Sequence, residues 1–339
     1  MTLGRRDTAL ACLSVALAAG WAASTYFLLR RRRRDDGDGL PLAFATCETL
    51  RVRSDAGRPY KLLVSLPLTY HADPPSAKYP VVYALDGEPY LFPLLVTAAR
   101  TNHFFRRSSW YPDAIVVGVT ADVEPACRAP RGALDVRRVW DALRPTRARD
   151  YLPTAAESPW GAPGAAPLLH VSGHADEFCA FLARRVVPRV EARYRADARA
   201  RALCGKSFGG SGVAHAWIEP NSAATFTHLI ASSPSLAWDG GAWFRLEAER
   251  RAGAPPAAAR RVLVCAGARE SDGLLAAVAE FKRALEEGGR GAPDLRVDVE
   301  IFERETHGSM SYPFACRALD WLAADLEERG LCNIGIGPS

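Results

Sequence analysis

The stretch 201–212, R-A-L-C-G-K-S-F-G-G-S-G, is the feature that most narrows what this chain can fold into. It reads as a short buried strand, a G-x-S-x-G turn and a helix beginning toward Val213. A serine at so tight a strand-to-helix turn needs small neighbours, since side chains at 205 and 209 would meet nearby backbone. Ser207 Oγ is thereby lifted above the strand end. The N–H of Phe208 is left at a helix N-terminus, where an unpaired donor and the helix dipole suit a developing oxyanion. Ser207 is the candidate nucleophile and Phe208 N–H a candidate oxyanion donor.

The surrounding pattern supplies the sheet that such a turn requires. Strands are expected at 60–66, 80–86, 114–120, 199–204, 226–231, 261–266 and 295–302, being short, β-branched or aromatic, and bounded by Pro, Gly or Asp. Helices are expected at 176–194, 242–251, 274–287 and 313–328, the first from the spacing of Phe178, Phe181, Leu182, Val186 and Val190. Alternation of this kind implies an α/β fold with a mostly parallel central sheet and helices on both faces. The Pro-, Gly- and Arg-rich stretch 120–173 reads as a long, lid-like insertion near the site.

Chain order then limits the partners. If the triad runs serine, acid, histidine, the base lies downstream of Ser207, where only His215, His228 and His307 occur. His215 falls on the helix after the turn and His228 inside a strand, so both read as structural. His307 follows the strand 295–302 in the loop E-R-E-T-H-G-S, and a loop beyond a strand end is where open α/β sheets carry their chemistry. The strand 261–266 runs into G-A-R-E-S-D, offering Glu270 or Asp272 to orient the imidazole and stabilise its charged form. A second oxyanion donor is expected at the N–H of Glu88, in the turn that follows V-V-Y-A-L-D-G. Tyr90, Phe92 and Trp160 are aromatic candidates for a pocket wall or for packing.

Charge and hydropathy bound the remaining classes. The net charge of +5 is outweighed by Arg5, Arg6 and the run 30–34, so the rest of the chain is near neutral. That excludes a basic nucleic-acid groove on the folded part. Eight scattered cysteines show no C-x-x-C pair, so neither a metal site nor a disulfide framework is read, and a reducing compartment is favoured. Between the two basic clusters, 8–29 carries no charge and is long enough for one membrane-spanning helix. The richer positive flank follows it, which points the bulk of the chain toward the cytosol, with ER-lumenal, organellar or periplasmic placement as alternatives. The expected organisation is a membrane anchor at 1–34, a linker at 35–48 and one α/β domain at 49–339.

With these residues in hand, the chain resembles the putative-esterase family of α/β hydrolases, within it the enterochelin-esterase-like and IroE-type siderophore esterases. The resemblance rests on Y-A-L-D-G-E-P-Y, R-D-Y-L-P-T from Arg149, D-E-F-C-A-F-L from Asp176, G-K-S-F-G-G, S-S-P-S-L-A-W-D from Ser232, C-A-G-A-R-E and T-H-G-S. It implies the α/β-hydrolase fold, Ser207 as nucleophile, His307 as base, Glu270 at the acid position, and oxyanion donors at Phe208 and Glu88. Ser233 and Trp238 would then border the substrate. The Arg-rich insertion and the anchor depart from soluble bacterial relatives.

The expected chemistry is hydrolysis of a small-molecule carboxylic ester through an acyl-enzyme, with no metal or organic cofactor. An acyltransferase using the same groups and a catalytically silent, membrane-anchored scaffold are the competing classes.

Overall fold

Strands buried on both faces carry apolar side chains at nearly every position, and those at the centre of this sheet do. In the computed structural model, which describes residues 47–104, 113–123, 136–156, 171–253, 261–289 and 294–331, eight strands form one sheet in the order β1-β2-β4-β3-β5-β6-β7-β8. They are β1 Cys47–Arg53, β2 Pro59–Ser65, β3 Tyr79–Leu85, β4 Ile115–Ala121, β5 Ala196–Lys206, β6 His228–Ser232, β7 Arg261–Gly267 and β8 Arg296–Phe302. The pairings of β1 with β2 and β2 with β4 are antiparallel; from β4 through β8 every pairing is parallel.

Alternation along the strands splits the core between the two faces of the sheet. Leu62, Tyr83, Val117, Leu203, Leu229 and Val264 point to one side. Val82, Ala84, Val116, Cys204, Ile230 and Leu263 point to the other. The helices, in chain order, are α1 Phe92–Phe104, α2 Val136–Tyr151, α3 Ala175–Phe181, α4 Val187–Glu191, α5 Phe208–Ile218, α6 Pro220–Thr225, α7 Ala242–Gly253, α8 Asp272–Gly288 and α9 Ser311–Glu328. The first face is covered by α3 and α4 through Phe178, Phe181 and Val190, and by α8 through Val278, Phe281 and Leu285. The second is covered by α1 through Leu95 and by α9 through Phe314, Leu319 and Leu322. Each such side chain, fully buried, contributes about 1.5–3 kcal/mol relative to exposure.

Several sequence expectations need correction. The helix expected at 176–194 is three pieces, α3 and α4 joined through a π-helical turn at Leu182–Val186. The strand β1 begins at Cys47, inside the expected linker. The insertion at 120–173 contains α2. Its inward residues Val139, Leu143, Arg147 and Tyr151 fall four apart, and the arginine in that stripe, with Pro145 inside the helix, hides the apolar period. The expected spanning helix at 8–29, and Trp160, lie outside the described residues. Among the described residues no helix is long and apolar enough to cross a membrane.

Candidate active site

Three neighbouring strands, β3, β5 and β6, each end in the same way. The first residue beyond each is a non-glycine with positive φ: Asp86 at 57°, Ser207 at 57° and Ser233 at 45°. All three lie at the carboxyl edge of the sheet, where the chain must turn sharply to expose groups above it. Ser207, at φ 57° and ψ −120°, sits far from either regular region, a conformation held only because its surroundings over-determine it. Its N–H donates to Ser232 O at 2.9 Å, and its carbonyl accepts from Ser211 N–H at 3.0 Å. A Cβ at Gly205 would lie 2.4 Å from Gly209 O, so a side chain there would push α5 off the strand.

His307 lies in the turn between β8 and α9. Its Nε2 is 3.1 Å from Ser207 Oγ and its Nδ1 is 2.6 Å from Glu270 Oε2. The hydrogen-bond pattern assigns Nδ1–H as donor to the carboxylate and leaves Nε2 to accept from the serine hydroxyl. The imidazole is half exposed, whereas the Glu270 carboxylate is buried. Backbone bonds lock the acid and base loops together: Ala268 N–H donates to Phe302 O at 2.9 Å and Arg269 N–H to Glu305 O at 3.0 Å.

Burial alone would raise the Glu270 pKa. Hydrogen bonds from His307, from the Ser233 hydroxyl and from Gly267 N–H outweigh it, and the carboxyl is held below its ordinary value. It therefore stays ionised beside the imidazole. Asp272, the alternative acid, begins α8 on the exposed side and takes no part in this relay.

Ser233 and Trp238 differ from the wall residues that the resemblance implied. Ser233 is fully buried, and its hydroxyl donates to Glu270 Oε1 at 2.5 Å, so it holds the acid rather than facing a substrate. Trp238 is buried too, its indole N–H donating to Thr154 O at 3.0 Å and its ring lying edge-on to Phe208. It supports the residue after the nucleophile from behind. Phe208 is the first residue of α5, whose leading N–H groups have no intrahelical acceptor, and Glu88 lies in the first turn of the π-helical segment Gly87–Leu91. The Tyr90 hydroxyl bonds to Ser311 Oγ, tying that segment to the start of α9, and Phe92 packs against Gly118.

Two further groups escaped the sequence reading. Lys206, the variable residue of G-K-S, is buried with its ammonium 5.8 Å from the Tyr90 ring centroid, and burial lowers its pKa to about 8. Arg147 reaches in from α2 and grips Asp86 through Nε at 2.6 Å and Nη2 at 2.8 Å. The R-D-Y-L-P-T stretch just after Arg147 was the one available signal that α2 approaches the site.

Comparison with known proteins bears on the family and the fold. Residues 154–288 match the family described as Putative esterase. The chain is 32% identical over 189 residues to the siderophore enterobactin esterase of Emericella nidulans, covering 53% of this chain and 55% of that protein. It is 31% identical over 206 residues to the siderophore triacetylfusarinine C esterase of Aspergillus fumigatus, covering 59% of each. The alignments thus span little more than half the length of these relatives. The crystal structure of BES protein from Bacillus cereus superposes with a TM-score of 0.65 at 21% identity, over 84% of this chain and 99% of that one. At that identity the likeness shows the fold alone, an α/β-hydrolase-like sheet with flanking helices.

Proposed function

We propose, from the premise that residues 154–288 match the Putative esterase family, that this chain is a serine esterase with Ser207 as nucleophile, His307 as base and Glu270 as acid. The observation that carries the reading is the continuous hydrogen-bonded relay, 3.1 Å from Ser207 Oγ to His307 and 2.6 Å from His307 to Glu270, at the carboxyl edge of the sheet. Ser207 Oγ attacks the ester carbonyl as its proton passes to His307 Nε2. The N–H groups of Phe208 and Glu88 face the charge that develops on the carbonyl oxygen. The tetrahedral species collapses, and the alcohol leaves with the proton from His307. Water, deprotonated by His307, then attacks the acyl carbonyl and releases the carboxylic acid and free Ser207.

The two curated relatives named above are siderophore esterases, which supports a siderophore-type ester as substrate. Hydrolysis of enterobactin, triacetylfusarinine C and p-nitrophenyl butyrate by the full chain, beside its Ser207→Ala variant, tests both levels of the proposal. Turnover that vanishes with the serine supports the esterase. Failure on both siderophores, with p-nitrophenyl butyrate still cleaved, overturns the substrate class alone.

The uncharged run 8–29 with basic flanks supports a single-pass anchor with the catalytic domain on the cytosolic side. Carbonate extraction of membranes bearing the full chain would leave the protein in the pellet, and protease added to vesicles sealed cytosolic side out would digest the domain.

A further inference from the structure

Arg147 and Tyr151 stand one turn apart on α2 and hold Asp86 at two points. The guanidinium makes a two-pronged bond to the carboxylate, at 2.6 and 2.8 Å, and the Tyr151 hydroxyl accepts from Asp86 N–H at 3.2 Å. Asp86 is left-handed and buried, and it opens the turn that carries the Glu88 N–H. Gly87 is pressed onto β4, where a Cβ would meet Gly118 C at 2.6 Å, so the turn has no slack on that side. On its other side the same guanidinium lies 5.5 Å from the Phe208 ring centroid and 5.3 Å from that of Trp140. The Asp86 Oδ2 sits 2.9 Å from where a Gly209 Cβ would project, against the first turn of α5. The helix end is itself fastened to β2, since the Tyr60 hydroxyl donates to Asp150 at 2.9 Å and accepts from Arg149 Nη2 at 3.2 Å.

We infer that Arg147 is a positioning residue for the oxyanion pocket: it fixes the Asp86–Glu88 turn relative to Phe208 and neutralises the Asp86 carboxylate between them. The inference rests on the serine-esterase reading. Both candidate donors belong to segments that the guanidinium touches, one through Asp86 and the other through the Phe208 ring. An unneutralised carboxylate in this water-poor position would oppose the negative charge that the donors must receive. Only a planar fork can hold both carboxylate oxygens at once, so lysine is a poor substitute. The interaction matters in the transition state more than in the bound ester, because the ground-state carbonyl carries little charge.

The test measures kcat and KM of the full chain on p-nitrophenyl butyrate for the wild type and the Ser207→Ala, Arg147→Ala, Arg147→Lys and Arg147→Ala/Asp86→Asn forms, with and without added guanidinium chloride at low millimolar concentration. Thermal melts accompany each. Arg147→Ala is expected to lower kcat about 100-fold, the size of losing one oxyanion donor, with KM changed less than about 3-fold. Guanidinium restores part of the loss, Arg147→Lys falls between the two, and removing the carboxylate in the double variant recovers activity relative to Arg147→Ala. A folded Arg147→Ala with kcat within about 2-fold of wild type overturns the inference, as does a rise in KM at constant kcat, which would make Arg147 a substrate-binding group. If Arg147→Ala does not fold, a wild-type kcat in Arg147→Lys overturns it. A wild type with no Ser207-dependent turnover overturns the esterase reading and this inference with it, whereas wild-type turnover that ignores Arg147 removes the inference alone.

Discussion

Two of the imidazole–carboxylate pairs among the described residues share nearly the same contact, and one of the two stands at a reactive centre. His307 meets Glu270 at 2.6 Å; His228 meets Asp325 at 2.8 Å. The second nitrogen of His307 faces Ser207 Oγ, and the ring is half open to solvent. The second nitrogen of His228 lies 2.9 Å from Thr227 Oγ1, and the ring is wholly buried at the start of β6, at the opposite edge of the sheet. An imidazole does chemistry when its carboxylate leaves one nitrogen free for a reacting group. When both nitrogens are taken inside the core, the same pair is a fastening between β6 and α9.

Breaking each pair separates these roles. The largest effect is expected from Ser207→Ala or His307→Ala, each lowering kcat by roughly 10⁵–10⁶ on p-nitrophenyl esters, with thermal melts close to wild type. Next comes Glu270→Gln, which keeps the shape but loses control of the His307 tautomer; steady-state kinetics should show a fall of about 10³–10⁴. Glu270→Asp would leave the carboxylate short of His307 Nδ1 and is expected to lie between Gln and wild type.

Asp325→Asn should leave kcat intact and reduce unfolding free energy at neutral pH by about 3–5 kcal/mol in urea titrations, because it strips a buried pair from His228 and Arg261. Burial alone would raise the Asp325 pKa, but hydrogen bonds from His228 and Arg261 hold it at about 2. A depressed acid stabilises the fold above its unfolded pKa, about 3.9, and loses that contribution as pH falls through the folded value. The gap between wild type and Asp325→Asn therefore narrows between about pH 4 and pH 2.

The smallest effect is expected from Ser233→Ala, which removes one of the donors holding the Glu270 carboxylate. A kcat loss of about 10-fold corresponds to one hydrogen bond to a charged group. With that donor gone the Glu270 pKa rises; a kcat equal to that of wild type in steady-state kinetics would mean that Ser233 does not hold the acid.

The reactive pair was more legible in the sequence than the structural one. The turn at Ser207 and the order serine, acid, histidine together leave His307 as base, because they combine a local backbone requirement with chain topology. Glu270 and Asp272 could not be separated by spacing. What separates them is a loop conformation in which Gly267 N–H and the Ser233 hydroxyl converge on the longer side chain. His228 read as structural from its strand pattern, but its partner lies 97 residues away in α9, and nothing local announces that contact. Helix α2 stayed hidden for a related reason: its inward stripe contains an arginine whose partner is a carboxylate at the end of β3. Periodicity finds apolar faces, and a buried ion pair within one erases the signal.

The three positive-φ residues at the ends of β3, β5 and β6 bear on how this protein would respond to selection in the laboratory. Non-glycine residues held at positive φ cost on the order of 1–2 kcal/mol each, and glycine relieves that cost. A library screened for heat resistance alone would accordingly be enriched in glycine at position 207, whereas at 233 the bond to the buried Glu270 carboxylate offsets the relief. Its hardiest survivors would be those that had discarded the nucleophile, so a thermostability campaign on this scaffold has to carry an activity screen from its first round.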